Sequence, residues 1–239
     1  MITFVSAFMK ITDNESNERT IEFYFYQFKR LVETGIKIHL FLPSVMIPMC
    51  QKIIGNSSNL FIEIKEFYEL DIYKNLNRQS FRLPAERNIL KDSENYIILQ
   101  NSKIYFIKEA IQLNVYGANK FAWIDFGIGH IIKSGKTLEN LTKINIGKGF
   151  YIPGCNSMRD FEFNSVFWRF CGGFFVGDIE SMEELFNLYS NEFIGIIKKS
   201  GVLTWEVNIL AYFEKNYKWS PRWYLADHND TLINNILTV

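Results

Sequence analysis

Blocks of apolar and polar residues alternate along the first part of the chain, and the period of each block predicts its element. Residues 2–8 form a short apolar run rich in β-formers, read as a first strand. A polar stretch at 12–18 follows, and then apolar residues recur at helical spacing over Ile21–Val32, closed by Gly35. Residues 36–42 read as a second strand stopped by Pro43, 46–54 as a short helix ended by Gly55, and Leu60–Ile64 as a third strand. Strand–helix–strand–helix–strand alternation implies right-handed crossovers and a largely parallel sheet.

The pattern then becomes less regular. Residues 67–87 are polar and irregular, whereas 94–114 predict one long helix with Ser93 as its N-cap. Residues 120–125 read as a buried strand, Phe-Ala-Trp-Ile, that ends on the charge of Asp125. A short helix is expected over 128–136, ended by Gly135, and a loop or pair of small strands over 147–165. An apolar strand is expected at 169–176 with Gly172 and Gly173 inside it. Helices follow at 179–199, capped by Asp178, and at 204–214, capped by Thr204. The tail, 219–232, is aromatic and acidic. Without an internal repeat or low-complexity linker, one domain is the economical reading, with a parallel half at about 1–127 and a mixed-sheet half at about 128–239.

Composition narrows the class. Of the 239 residues 48% are hydrophobic, enough for a sizeable core, and 16% are aromatic, which serves either that core or stacking on bases and sugars. The formal net charge is zero and no long basic run occurs, which argues against nucleic acid as the main partner. The three cysteines, Cys50, Cys155 and Cys171, are scattered without a Cys-x-x-Cys pair, so no structural zinc site is expected and a reducing compartment is. The first residues lack a basic n-region, and no uncharged stretch approaches the ~18 residues of a membrane span. The expectation is a cytoplasmic protein, soluble or peripheral at most.

Several positions could carry chemistry, each with a plainer alternative. Asp125 ends an apolar strand, where open α/β sheets bind ligands; it could hold a Mg²⁺ or Mn²⁺ ion, or simply cap the next turn. Phe126-Gly127 after it makes an Asp-Phe-Gly string, but no glycine-rich loop or His-Arg-Asp segment supports a kinase reading. Gly172-Gly173 suggests close approach of a ligand, or a bulge. Glu206 could contact an acceptor hydroxyl or act as general base, with Trp205 stacking on a sugar; alternatively Glu206 merely suits a helix N-terminus. His228, among acidic neighbours, could complete a metal shell beside Asp125, or lie in an Asx-stabilised turn. Asn101 and Lys103 could reach donor phosphates, although a lysine there is more often solvated. His130 could face the same cleft, and His39 reads as a packed strand histidine.

Taken in order, residues 2–8, Asn101-Ser102-Lys103-Ile104, residues 123–127, residues 172–177, Trp205-Glu206-Val207-Asn208 and Ala226-Asp227-His228-Asn229 resemble the HtrL/YibB family of bacterial and viral proteins. That family looks like a branch of the nucleotide-sugar transferases with the GT-A fold. The resemblance implies an α/β GT-A-like fold and a glycosyltransferase that uses a nucleotide sugar, with UDP the expected nucleotide, and a saccharide or glycan acceptor. It implies that the first strand end (Phe4, Ser6, Ala7, Phe8) receives base and ribose. Asn101, Lys103, Asp125, Phe126 and Gly127 then lie along the diphosphate and metal. Gly172, Gly173, Trp205 and Glu206 surround the sugar and acceptor, and His228 joins Asp125 as a metal ligand. One departure stands out: the usual Asp-x-Asp motif has Gly127 in its third position. Two other readings stay open, a binding module of the same fold without the chemistry and a sugar nucleotidyltransferase. The absence of a glycine-rich signature after Phe8 counts against the latter. A serine hydrolase lacks its Gly-x-Ser-x-Gly string.

Overall fold

The structure, a computed structural model, describes residues 1–11, 19–77 and 79–239, so the polar stretch at 12–18 lies outside the described residues. The expected alternation is present: β1 (Ile2–Ala7), α1 (Ile21–Val32), β2 (Lys37–Leu42), α2 (Ile47–Ile53) and β3 (Leu60–Ile64). Then come α3 (Asp71–Leu76), α4 (Glu94–Asn101), α5 (Lys103–Leu113), β4 (Lys120–Ile124), α6 (Gly135–Asn140) and β5 (Phe150–Gly154). The chain finishes with β6 (Phe174–Asp178), α7 (Ile179–Ser200), α8 (Glu206–Asn216), β7 (Arg222–Leu225) and α9 (Thr231–Asn234).

The seven strands among the described residues form one sheet in the order β3-β2-β1-β4-β6-β5-β7. Only β6 runs antiparallel to its neighbours β4 and β5, while the remaining pairs are parallel. This is an α/β architecture: a Rossmann-like parallel half joined edge to edge to a mixed half. No helix among the described residues is long and apolar enough to cross a membrane.

Local signals explain the elements. In α1 the Thr20 hydroxyl accepts from the Phe23 amide at 3.2 Å, Glu22 lies in the first turn, and Lys29 and Arg30 lie in the last. These charges match the helix dipole, and Phe25, Phe28, Leu31 and Val32 recur at helical spacing on the buried side. Strand residues alternate between two cores, one on each face of the sheet. Val5, Phe121 and Trp123 enter the core beneath α5, α7 and α8, whereas Phe4, Ala122 and Ile124 enter the one beneath α1 and α2.

Several boundaries differ from the sequence expectation. The predicted long helix at 94–114 is two helices broken at Ser102, whose hydroxyl donates back to the Ile98 carbonyl at 2.8 Å. Gly135 begins α6 and does not end a helix. Gly172 and Gly173 precede β6 in a turn and are not inside a strand. Trp205, not Thr204, is the N-cap residue of α8; the Thr204 hydroxyl is engaged elsewhere, donating to the Phe163 carbonyl at 3.2 Å.

The topology creates one crevice. Chain connections leave β1 toward β2 on one side, and β4 lies against its other side, so the strand order reverses between β1 and β4. Ligands of open α/β sheets bind outside the carboxyl ends of strands at such a point. Val5 pairs with Trp123, and Asp125 lies two residues beyond that pair.

Candidate functional site

Lys103, the first residue of α5, points into the core side of this crevice and is 4% exposed. Its ammonium lies 3.0 Å from Asp125 Oδ1 and donates at 2.8 Å to both Glu206 Oε1 and the Gly172 carbonyl. Three acceptors match the three N–H groups of a lysine. Burial alone pushes the Lys103 pKa down, but the charges of Asp125 and Glu206 outweigh it and the value is raised, so the group stays charged. The Lys103 ammonium also stands 5.7 Å over the Trp123 ring.

Asp125 is fixed on several sides. The Trp123 indole N–H donates to its Oδ1 at 2.6 Å, and its backbone amide donates to the Gly173 carbonyl at 2.9 Å. Its side chain remains 35% exposed, the open member of the cluster. Glu206 is 9% exposed at the side chain and sits at the start of α8, where the helix dipole favours its charge. Gly172 has no room for a side chain, because a Cβ would strike Glu206 Oε1 and come within 3.1 Å of Val207 Cγ1. At Gly173 a Cβ would meet only Asp125 Oδ2, at an ordinary 3.4 Å. The cluster is one cation between two carboxylates, a net single negative charge with one carboxylate oxygen, Asp125 Oδ2, not held by Lys103 or Trp123.

The structure thus brings Lys103, Asp125, Gly172, Gly173 and Glu206 together. It assigns Lys103 to the carboxylates and the Gly172 carbonyl, not to a donor phosphate, which corrects the expectation for that residue. Asn101 is likewise committed. Its amide donates to the carbonyls of Ile97 (2.8 Å) and Thr204 (2.9 Å), and it accepts from the Tyr189 hydroxyl at 2.6 Å. It fastens the end of α4 to the residue two before Glu206, with both amide N–H groups used and the side chain buried. Trp205 is 6% exposed and packed in the core, so it is not a platform for a sugar. Phe126 is 4% exposed and stacks 4.3 Å from Phe28, again in the core. Phe4, Ser6 and Ala7 are buried, leaving Phe8 as the half-buried residue at the end of β1. Gly127 admits the ring of Tyr24, which a Cβ would meet at 2.9 Å, where a diphosphate was expected.

His228 does not stand as a partner of Asp125. It follows β7 and forms a group with Cys155 and Cys171 whose side-chain N and S atoms all lie within 4.8 Å of one another. The two sulfurs are 2.8 Å apart. The hydrogen bond from Cys171, with His228 alongside, pulls the Cys155 thiol down to about 5, and Cys171 is pushed up. His130 bonds through Nδ1 to the Gly127 carbonyl and packs edge-on against Tyr24 at 6.2 Å.

Two aromatic residues that sequence reasoning passed over, Tyr24 and Tyr96, lie on the same side as the expected Phe8. Burial pushes the Tyr96 hydroxyl up, and the nearby charges of Glu206 and Asp125 push it further, so it remains a protonated phenol facing the ionic cluster. Lys91 lies 5.4 Å over the Tyr96 ring. Phe8 packs 4.7 Å from Phe126 and 6.4 Å from Tyr24. One signal was available: Tyr96 precedes Lys103 by two helical turns, the spacing of a shared face.

The family model described as "Bacterial protein of unknown function (HtrL_YibB)" matches residues 1–214. Protein HtrL of Escherichia coli (strain K12) is 24% identical over 192 residues, which cover 73% of this chain and 67% of that protein. Among solved structures, a glycosyltransferase involved in glycosylation of the major capsid of PBCV-1 aligns with TM-score 0.46 and 13% identity over 95% of this chain and 81% of its own. The 4-diphosphocytidyl-2C-methyl-D-erythritol synthase of Anaerococcus prevotii DSM 20548 aligns with TM-score 0.48 and 8% identity over 99% of this chain and 94% of its own.

Proposed function

Because the chain belongs to the HtrL_YibB family, whose function is unknown, its activity must be read from the site, and we propose a glycosyltransferase. It moves a sugar from a nucleotide-sugar donor, with UDP the nucleotide to try first, to a saccharide or glycan acceptor.

The observation that carries this reading is Asp125: a half-open carboxylate at the carboxyl end of β4, beside the β1–β4 switch point, with Oδ1 locked by Lys103 and Trp123. Tyr24, Tyr96 and Phe8 offer apolar faces for a base and a sugar at the same end of the sheet. In this reading Glu206, held by Lys103 next to Gly172, accepts a hydrogen bond from a sugar hydroxyl.

The fold implies a divalent cation, and the residues fit one only in a limited way. Asp125 Oδ2 is one hard oxygen, and Gly127 replaces the second acid, so among the described residues Asp125 belongs to no all-protein cage. Mg²⁺ or Mn²⁺ bound through one carboxylate, its own waters and the donor's phosphates suits that arrangement. Such a cation supplies charge stabilisation to the departing nucleoside diphosphate. The protein's own contribution is to hold Asp125 in one rotamer through Lys103 and Trp123, and to present Glu206 to the sugar or acceptor.

The test is release of nucleoside diphosphate from a panel of donors, with Mn²⁺ present. Turnover is expected with one donor class and should fall about 10²–10³-fold in Asp125→Asn, the usual scale for a preorganised charge. An Asp125→Asn variant that turns over like the wild type removes Asp125 from the mechanism. The missing acid at Gly127 favours one other reading, a donor-binding module. Thermal stabilisation by UDP with Mn²⁺, but no diphosphate release from any donor, selects that reading.

A further inference from the structure

We propose that Cys155, Cys171 and His228 form a second site, a thiolate–imidazole site for a soft divalent metal of the zinc class. Nothing in the glycosyl-transfer reading requires it.

The argument begins with topology. β5 and β7 are parallel neighbours, with Gly154 opposite Leu225, so their carboxyl ends stand side by side. Cys155 is the next residue after β5, and His228 follows β7 by three. Cys171 is drawn to the same corner because its amide donates to the Pro153 carbonyl at 2.8 Å, while the Ala226 amide donates to the Gly154 carbonyl at 2.9 Å. Three ligands far apart in sequence thereby converge, with Sγ, Sγ and the ring nitrogen within 4.8 Å of one another. Tetrahedral zinc, with Zn–S near 2.3 Å and Zn–N near 2.0–2.1 Å, sets its ligands about 3.5–3.8 Å apart. The two sulfurs, 2.8 Å apart, have to separate by about 1 Å to reach that spacing.

The histidine adds an independent indication. Its Nδ1 lies 3.3 Å from Asp227 Oδ1, which leaves Nε2 for a metal. A carboxylate on the far nitrogen is the usual way a metal-ligating histidine is oriented. Trp168 packs edge-on with the ring, 4.4 Å between centroids. A simple Cys155–Cys171 disulfide uses two of these groups and gives no role to an aimed imidazole. Sulfur and imidazole ligands select zinc-like ions over Mg²⁺ or Mn²⁺, so this site and Asp125 call for different metals. His228 keeps 41% of its side chain exposed and Asp227 75%, so the fourth position opens toward solvent and suits a water.

Such a metal also braces the crevice. Cys171 precedes Gly172, whose carbonyl accepts from Lys103, and Gly173, whose carbonyl accepts from Asp125. The turn that supplies both carbonyls would be anchored at its start.

The probe is Co²⁺ added to the full chain, reduced with a thiol-free reductant and stripped of metal. One cobalt per chain is expected, with an intense sulfur-to-cobalt charge-transfer band and tetrahedral visible bands, both displaced by Zn²⁺. Cys155→Ser and His228→Gln should abolish the charge-transfer band or markedly weaken it, and Asp227→Asn should reduce affinity about 10–100-fold. Folded, reduced protein that gives no such band overturns the proposal. So do bands that persist unchanged in both ligand variants. A native Cys155–Cys171 disulfide, followed by a cobalt-silent protein after reduction, overturns it in favour of redox pairing. Should the variants fail to fold, wild-type protein decides: Zn²⁺ must protect two thiols from alkylation, and no protection overturns the site.

Discussion

Gly172 and Gly173 are adjacent, and the fold uses them differently. Neither has a positive φ, so backbone strain does not separate them; space does. A methyl at 172 collides with the carboxylate of Glu206, whose position is fixed by Lys103. Gly172→Ala is therefore expected to cost about 1–3 kcal/mol, as overpacking does, and to disable transfer. Gly173→Ala meets only Asp125 Oδ2 at contact distance and should leave stability within about 0.5 kcal/mol. Its effect should fall on turnover, because the new methyl borders the open oxygen. Paired melting curves and diphosphate-release rates check this; equal melting temperatures for the two variants contradict the division of roles. From the sequence, the glycine pair, Asp125, Glu206 and Lys103 were each legible as candidates. Their ion pairing was not, because Lys103 reaches 22 residues forward to Asp125 and 103 to Glu206, and no local period reports such contacts. Trp205 and Phe126 misled for the converse reason: an aromatic beside a site looks the same in sequence whether it faces the ligand or the core.

At the scale of elements, periodicity was a good guide where one face of a helix or strand is buried, as in α1, whose predicted limits are those observed. It failed at Ser102, where a hydroxyl and the Asn101 amide bond to helix carbonyls and split one run into α4 and α5. That break matters, since it makes Lys103 a helix-start residue. β2 carries a different consequence. His39 is fully buried, stacks 4.6 Å from Phe41, and contacts Glu63 through Nε2 at 2.8 Å, while its Nδ1 has no partner. Burial lowers its pKa below 6.5, more than Glu63 raises it. The unfolded chain then binds a proton that the folded one does not. The His39 contribution is whole above about pH 6.5 and is lost as pH falls from there toward the folded value. Stability should fall by at most about 1.4 kcal/mol per pH unit from this group. His39→Phe should remove that slope, and denaturant unfolding at a series of pH values measures it; a slope that survives in His39→Phe belongs to other groups.

At the scale of the whole molecule, the sequence suggested two halves within one domain, and the sheet gives a reason to treat them as inseparable. β4 closes the parallel half, but its outer edge is hydrogen-bonded along its length to β6 from the other half. The core on the Trp123 face is completed by Met182, Leu185, Phe193, Val207 and Leu210 of α7 and α8. The Lys103 cluster crosses the same seam, since Asp125 lies before it and Glu206 beyond it. A fragment of residues 1–127 would expose a central strand edge and a wide apolar face, the two features that promote aggregation. It is expected to lack a cooperative thermal transition, while the full chain melts in one step. The seam also predicts the effect of Lys103→Met. Removing the buried cation leaves two carboxylates without their partner, which typically costs about 3–5 kcal/mol. The loss should lower the single transition as a whole and not split it. Adding Glu206→Gln should recover part of the loss, because one uncompensated charge is then gone. Calorimetry of the two variants reads this directly: two separate transitions, or a double variant less stable than Lys103→Met alone, would show that the cluster does not tie the halves together.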